Sequence, residues 1–287
     1  MESARPPLNN EPRYESEYSP RQTEAARRVL VDLGQVLAAF EDCLVVVGGW
    51  VPDLLLKDTE EPHIGSIDVD LALDAEKLTE GRYAKLVETL LGTRRYQQAE
   101  EAFKLFTEVD LKDGGSPVRV DVDFLKPPEV RLKRNKPKLT DSFRPLDAAG
   151  CAAAFNHPEL VVMAGQMPKG GTNKVQFRVA SVPDFLVMKS YALKKRDKPK
   201  DAYDICYCLD HYPSGAGKIA EIWNVQPRKN HVREAIVILK EKFSELGAYG
   251  PSQVVEFHNS TDQGERERQQ RRAFELVQRF LSQIAPG

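Results

Sequence analysis

The sequence predicts an α/β (α+β) chain: a sheet with flanking helices over residues 26–180, then a helical domain over 181–287. Three observations carry that prediction. A β-branched run, Leu44 to Val47, ends at the pair Gly48-Gly49, and Trp50 to Lys57 behind it can form a helix. Two further stretches, Ile67 to Leu73 and Val118 to Leu125, alternate apolar and polar residues with the period of a strand. From Ser181 onward the apolar spacing is helical almost to the end.

Taken in order, Met1 to Pro20 carry charges and prolines with little apolar pattern, so a flexible tail is expected over residues 1–25. From Arg21 to Phe40, the apolar positions Ala25, Val29, Leu30, Leu33, Val36, Leu37 and Phe40 recur at helical intervals and describe an amphipathic core helix. Ala75 to Leu91 repeats that pattern through Leu78, Tyr83, Leu86, Val87, Leu90 and Leu91. Phe103 to Leu111 is expected as a strand, turned by Lys112 to Ser116 into the strand Val118–Leu125. Alternation there places Arg119, Asp121 and Asp123 on one face and Val118, Val120, Val122 and Phe124 on the other. A hairpin over Leu160–Met163 and Lys174–Val179 completes the sheet. Ser181 then caps a helix, with Asp184 three positions on, and helices follow at Ala202–Leu209, His231–Leu246 and Glu265–Ile284. In the last of these, Arg268, Arg271 and Arg272 face solvent opposite an apolar stripe.

Composition narrows the classes. Forty-one basic against forty-three acidic residues leave a formal charge of −2, so any nucleic-acid surface must be local. The best candidate is the proline-punctuated loop with Arg131, Lys133, Arg134, Lys136, Lys138 and Arg144, whose letters also fit an exposed loop kept soluble by charge. Cys43, Cys151, Cys206 and Cys208 lack zinc-like spacing and are expected as buried free thiols. With no apolar leader or membrane span, cytoplasmic residence without membrane association is the expectation.

The chemistry concentrates in Leu44–Asp74. Gly48-Gly49 lets backbone N–H groups approach an anion at a strand-to-helix turn, which suits a phosphate. Asp68 and Asp70 point to one face of their strand and repel unless a divalent cation lies between them; hard oxygen ligands suit Mg2+. Two acids on the wet face of a strand would show the same letters. His63, just upstream, is close enough to reach the site, and a surface loop is the first expectation for it.

Together Gly48, Gly49, Ser66, Asp68 and Asp70 resemble the signature of the nucleotidyltransferase superfamily with the polymerase-beta-like fold. The eighteen residues between Gly49 and Asp68 exceed the usual gap and are similar to the AbiEii-like branch, whose members are often toxins of toxin–antitoxin systems. A second stretch also resembles that branch: Lys189 on a helix, Arg196 in a charged link, then Lys200, Asp201, Tyr203 and Asp204. Ion pairs between two surface helices would give similar letters.

The resemblance implies a nucleotidyltransferase-fold mixed sheet with flanking helices and a C-terminal helical domain. It implies one or two Mg2+ ions on Asp68, Asp70 and a third carboxylate, carried over to Asp121 with Asp123 as alternate. Gly48, Gly49 and Ser66 would hold the phosphates of a nucleoside triphosphate such as ATP. Lys189 would neutralise triphosphate charge, Arg196 or Lys200 would meet pyrophosphate, and Asp201 and Asp204 would orient those bases. The expected activity is metal-dependent transfer of a nucleoside monophosphate to an acceptor hydroxyl. An RNA of tRNA type, meeting the basic loop Arg131–Lys138, is the expected acceptor, and a cognate antitoxin a possible partner. The alternatives are a small-molecule transferase of the aminoglycoside-modifying kind and a non-catalytic RNA- or protein-binding member of the fold.

Overall fold

The two alternating stretches become neighbouring strands at the centre of one mixed sheet. In the computed structural model, which describes residues 12–57, 59–78, 81–131, 143–225 and 230–285, helix α1 (Pro20–Val36) leads into β1 (Leu44–Val47), α2 (Trp50–Leu55) and β2 (Val69–Leu73). There follow α3 (Arg82–Gly92), β3 (Gln97–Gln98), β4 (Lys104–Val109), β5 (Val118–Lys126), β6 (Leu146–Asp147) and the hairpin β7 (Glu159–Gln166)/β8 (Thr172–Val179). The strand order is β3-β4-β5-β2-β1-β8-β7, with β6 beside β5. β2 runs antiparallel to β1 and parallel to β5, while β4 is antiparallel to β5. The one-face/other-face alternation of β5 holds, since Val118, Val120, Val122 and Phe124 are all buried.

Residues 181–287 supply α4 (Val182–Lys195), α5 (Pro199–His211), α6 (Ala216–Val225), α7 (Asn230–Lys242), α8 (Tyr249–His258) and α9 (Gln263–Ser282). Ser181 caps α4 as expected, its hydroxyl accepting from Asp184 N–H. Buried apolar side chains of the sheet, of α1 and of the helical half form one continuous cluster. Within it, α2 buries Trp50, Val51, Pro52 and Leu54 between β1 and the pair α4/α5.

Several expectations need correcting. The tail boundary at residue 25 falls inside α1, which starts at Pro20 because Ser19 and Gln22 form a capping box ahead of a proline at the first helical turn. Residues 12–19 are held in place: Arg13 pairs with Glu256 and Asp197, and Tyr18 is buried against Phe257. The helix expected from Ala75 begins only at Arg82, and α6 and α8 carry helix where no separate element was assigned. β3 and β6, two residues each, are too short for periodicity to register. The four cysteines are buried free thiols, and among the described residues no helix is long and apolar enough to cross a membrane.

Phe124 is fully buried in β5, with its ring edge-on to Phe143 at 5.5 Å between centroids. Phe124→Ala should therefore destabilise the chain by roughly 3–5 kcal/mol in denaturant titration, the range for emptying a core aromatic site.

Candidate active site

The site starts at the corner between β1 and α2. Val47 pairs with Asp70 across the β1/β2 ladder, so the chain turns at Gly48 directly against the second aspartate. Gly48 has φ +69°, and a Cβ there would lie 1.9 Å from Asp70 Oδ2; only glycine fits. At Gly49 a Cβ would meet Ser66 Oγ at 2.9 Å and Lys200 Nζ at 3.0 Å. The corner is thus faced by a hydroxyl and an ammonium. Since α2 is only six residues long, these groups and the backbone matter there more than a helix dipole. Trp50 ties the corner to the acidic strand by donating from Nε1 to the Asp68 carbonyl at 2.7 Å, and Ser66 Oγ donates to Asp68 Oδ1 at 2.6 Å.

The register decides which acids meet. Asp70 and Asp123 are direct partners on the parallel strands β2 and β5, and Lys104 of β4 faces Asp123 from the other side. Asp121 is committed elsewhere, accepting from Arg119 Nε at 2.8 Å and from Lys104 Nζ at 3.1 Å. Asp123 Oδ1 is buried without a hydrogen bond, and Lys104 Nζ stands 3.6 Å away. Burial, and then the neighbouring Asp70, pushes the Asp123 carboxyl up to about 8. Burial and then Asp68 raise Asp70 to about 6. Burial also acts to raise Asp68, but Lys198, the Ser66 hydroxyl and Lys200 outweigh it and hold that carboxyl below its ordinary value.

Opposite these acids stands a cationic wall from α4, α5 and their link. Lys189 Nζ lies 2.7 Å from both Asp201 Oδ1 and Asp204 Oδ2. Arg196 grips Asp201 with Nε at 2.7 Å and a terminal nitrogen at 2.9 Å, and Lys200 Nζ donates to Asp204 Oδ1 at 2.7 Å. Burial disfavours both carboxylates, yet Lys189 together with Arg196 or Lys200 keeps them well below the usual range. His63 belongs to this network. It is buried rather than on a surface loop, stacked on Tyr203 and edge-on to Tyr207. Gly65 N–H donates to its Nδ1 at 3.1 Å, so Nε2 carries the proton and donates to Asp204 Oδ1 at 2.9 Å. Burial, then Lys200, lowers His63 to about 4 and keeps it neutral.

Both walls face one open cleft of about 510 Å³, lined by Gly48, Gly49, Ser66, Asp68, Asp70, Asp121 and Asp123 on the sheet side and by Lys189, Arg196 and Lys200 on the helical side. Asp201, Tyr203 and Asp204 sit behind that helical wall, the aspartates fully buried. Lys198 and Lys104 also line the cleft, and neither stood out in the sequence. Lys104 is legible only once β4 is registered against Asp123. In the expected basic loop, Lys133, Arg134, Lys136 and Lys138 lie outside the described residues, while Arg131 and Arg144 are exposed.

A mixed sheet that sets a glycine corner against an Asp-x-Asp strand, with a further acid on the adjoining strand, defines a nucleotidyltransferase. The chain belongs to the AbiEii nucleotidyl transferase toxin family of type IV toxin–antitoxin systems, whose description matches residues 33–283. Among solved structures it is similar to an antigenic nucleotidyltransferase-like protein from Paracoccidioides brasiliensis, at 15% identity and a TM-score of 0.41, over 77% of this chain and 89% of that one. No curated protein matches the chain.

The raised Asp123 carboxyl makes a prediction about stability. Its folded pKa lies above the ordinary 3.8, so its contribution is full below about 4 and is lost as pH rises through about 8. In divalent-free buffer Asp123→Asn should therefore raise the thermal midpoint at pH 8 and leave it unchanged near pH 4. The expected rise is on the order of ten degrees, since raising the carboxyl from 3.8 to about 8 costs roughly 5 kcal/mol at pH 8 and each kcal/mol is worth roughly 2–4 °C for a chain of this size. Equal midpoints at both pH values would contradict the charge assignment.

Proposed function

We propose that the chain transfers a nucleoside monophosphate from a nucleoside triphosphate to a hydroxyl of an RNA acceptor, using Mg2+ held by Asp68, Asp70 and Asp123. The observation that carries this reading is the in-register pair Asp70/Asp123 beside the glycine corner, with a buried Asp123 oxygen that accepts no hydrogen bond. Among the described residues no three acids, histidines or cysteines already stand as a metal cage. The donor chemistry nevertheless fits. Three carboxylates give hard oxygen ligands, and two of them are raised in pKa by burial and then by a neighbouring aspartate, Asp68 for Asp70 and Asp70 for Asp123. Bound there, Mg2+ would neutralise triphosphate charge and lower the pKa of the acceptor hydroxyl.

The chain's own groups divide the remaining work. Gly48 and Gly49 leave room for phosphate oxygens, and Ser66 and Lys200 bind them from the side. Arg196 and Lys198 meet the charge that develops on pyrophosphate as the bond between the α-phosphorus and its bridging oxygen breaks. The acceptor oxygen attacks that phosphorus in line, and its proton passes to Asp123. This assigns the third carboxylate to Asp123 in place of Asp121, whose oxygens are engaged by Arg119 and Lys104. Lys189 then acts through others: by fixing Asp201 and Asp204 it holds Arg196 and Lys200 in place.

A polyanionic acceptor is supported by the cleft rim, where Arg119, Lys195, Arg196 and Lys198 gather although the chain as a whole carries −2. Family membership supports a cognate antitoxin as partner.

Replacing Asp68, Asp70 or Asp123 by Asn should reduce transfer of labelled nucleotide by about 10²-fold or more, while Asp121→Asn should stay within about tenfold, as expected when only the former groups meet transition-state charge. Equal losses at Asp121 and Asp123 would return the third position to open choice. With labelled triphosphate, Mg2+ and total RNA, label should enter RNA and fall off steeply between about 50 and 200 mM salt. Label recovered only on a small molecule, with little salt dependence, would reject the RNA acceptor.

A further inference from the structure

The family match begins at residue 33, yet the cleft is also lined by Pro12, Tyr18 and Gln22, which precede it. Tyr18 is 5% exposed, its ring edge-on to Phe257 at 5.9 Å, and Lys200 Nζ lies 5.6 Å from its centroid. The phosphate-facing ammonium thus has the corner at Gly49 on one side and an aromatic face on another. Arg13 reaches in two directions. Its Nε and a terminal nitrogen donate to Glu256 Oε1 of α8 at 3.1 and 2.5 Å. The other terminal nitrogen donates to Asp197 at Oδ2 (3.1 Å) and at the backbone oxygen (3.4 Å). Asp197 lies between Arg196 and Lys198, and Tyr249 of α8 holds its other carboxylate oxygen at 3.1 Å. Glu17 in turn accepts from the backbone N–H groups of Arg13 and Tyr14 at 2.7 and 2.9 Å, and Glu15 meets His258 at 2.7 Å.

We infer that two residues ahead of the family match serve the nucleotide site: Arg13 is a positioning residue that clamps the Arg196–Lys200 link through Asp197, and Tyr18 is one that fixes the Lys200 ammonium at the glycine corner. Arg13 joins Asp201, which grips Arg196, and Tyr249, which meets Asp197, in holding the link. It connects α4 to α5 and is exposed at Arg196 and Asp197. Cations on a loosened link hold the bound triphosphate less well, because misplacement of even 1 Å is costly in a preorganised site. Loss of Arg13 would also leave Glu256 and Asp197 without their shared cationic partner. The inference rests on the proposed contact of Lys198 and Lys200 with triphosphate.

The test is steady-state kinetics of the full chain with the nucleoside triphosphate as varied substrate, alongside thermal unfolding. Arg13→Ala and, from the other side of the contact, Asp197→Asn should each raise KM for the triphosphate about fivefold with kcat within about twofold, the pattern of lost binding shared by ground and transition states. Tyr18→Ala should raise KM, and the conservative changes Arg13→Lys and Tyr18→Phe should each recover part of the loss seen with alanine. Glu15→Gln, which touches His258 and not the link, should change neither constant. Lys198→Ala and Lys200→Ala separate the two levels. If they leave KM unchanged, the phosphate assignment itself fails. If they raise KM while Arg13→Ala, Asp197→Asn and Tyr18→Ala do not, residues 12–22 are structural only and the inference is overturned, whatever happens to the unfolding midpoint.

Discussion

Two like charges placed side by side, Asp70 on β2 and Asp123 on β5, are the constraint to which the rest of the cleft answers. Like charges held side by side in a buried site repel, so they share protons or need cations. Among the described residues, Lys104 stands 3.6 Å from the Asp123 oxygen that accepts no hydrogen bond, and Lys198 acts on Asp68 and Asp70. Asp121 shows what ordinary satisfaction looks like on the same strand face, with one oxygen on Arg119 and the other on Lys104. A fold selected for stability alone would have treated Asp123 likewise. Leaving it under-compensated is the pattern expected where chemistry sets the requirement.

The cationic wall obeys a different logic. Lys189, Lys200, Asp201, Asp204 and His63 are buried, and burying ions seldom stabilises a protein relative to well-packed apolar groups. What such a network gives is position. Lys189 ties two aspartates together, and each aspartate then orients one further cation, Arg196 on Asp201 and Lys200 on Asp204. His63 completes Asp204 without adding charge, because Gly65 fixes its tautomer and burial keeps it neutral. Breaking any one member leaves another buried charge without its partner, which is why these residues act as a unit.

How much of this was legible varies with the kind of physics. Strand and helix periodicity located β1, β2, β5, the β7/β8 hairpin and α4, because one-sided burial imposes a pattern that letters carry. Parity put Asp121 and Asp123 on one face but could not choose between them; that choice is made by register against β2, a long-range fact absent from local sequence. Lys189, Asp201 and Asp204 look like surface ion pairs until α4 and α5 pack, and His63 like a loop histidine until Tyr203 and Tyr207 enclose it. The N-terminal segment was a different miss. The start of α1 is legible to within one residue, Arg21 against Pro20, whereas charge-rich composition obscures that Arg13 and Tyr18 ahead of it are tied to α8 and to Asp197.

The two walls of the cleft come from separate halves of the chain, so their spacing must be set by something other than the acids and bases. Helix α2 is one element that sets it. Its four buried side chains sit between β1 and the α4/α5 pair, inside the one apolar cluster that runs through both halves. The glycine corner opens directly into this helix, so the turn that faces Asp70 also begins the wedge that spaces Lys200 from the sheet. Packing density in such a core leaves little slack, and the positive wall is therefore held ready before substrate arrives. Electrostatic stabilisation of a leaving pyrophosphate depends on that readiness, because donors already in place need no reorganisation when charge develops. Apolar packing at α2 and ionic chemistry in the cleft are thus one mechanism seen from two sides.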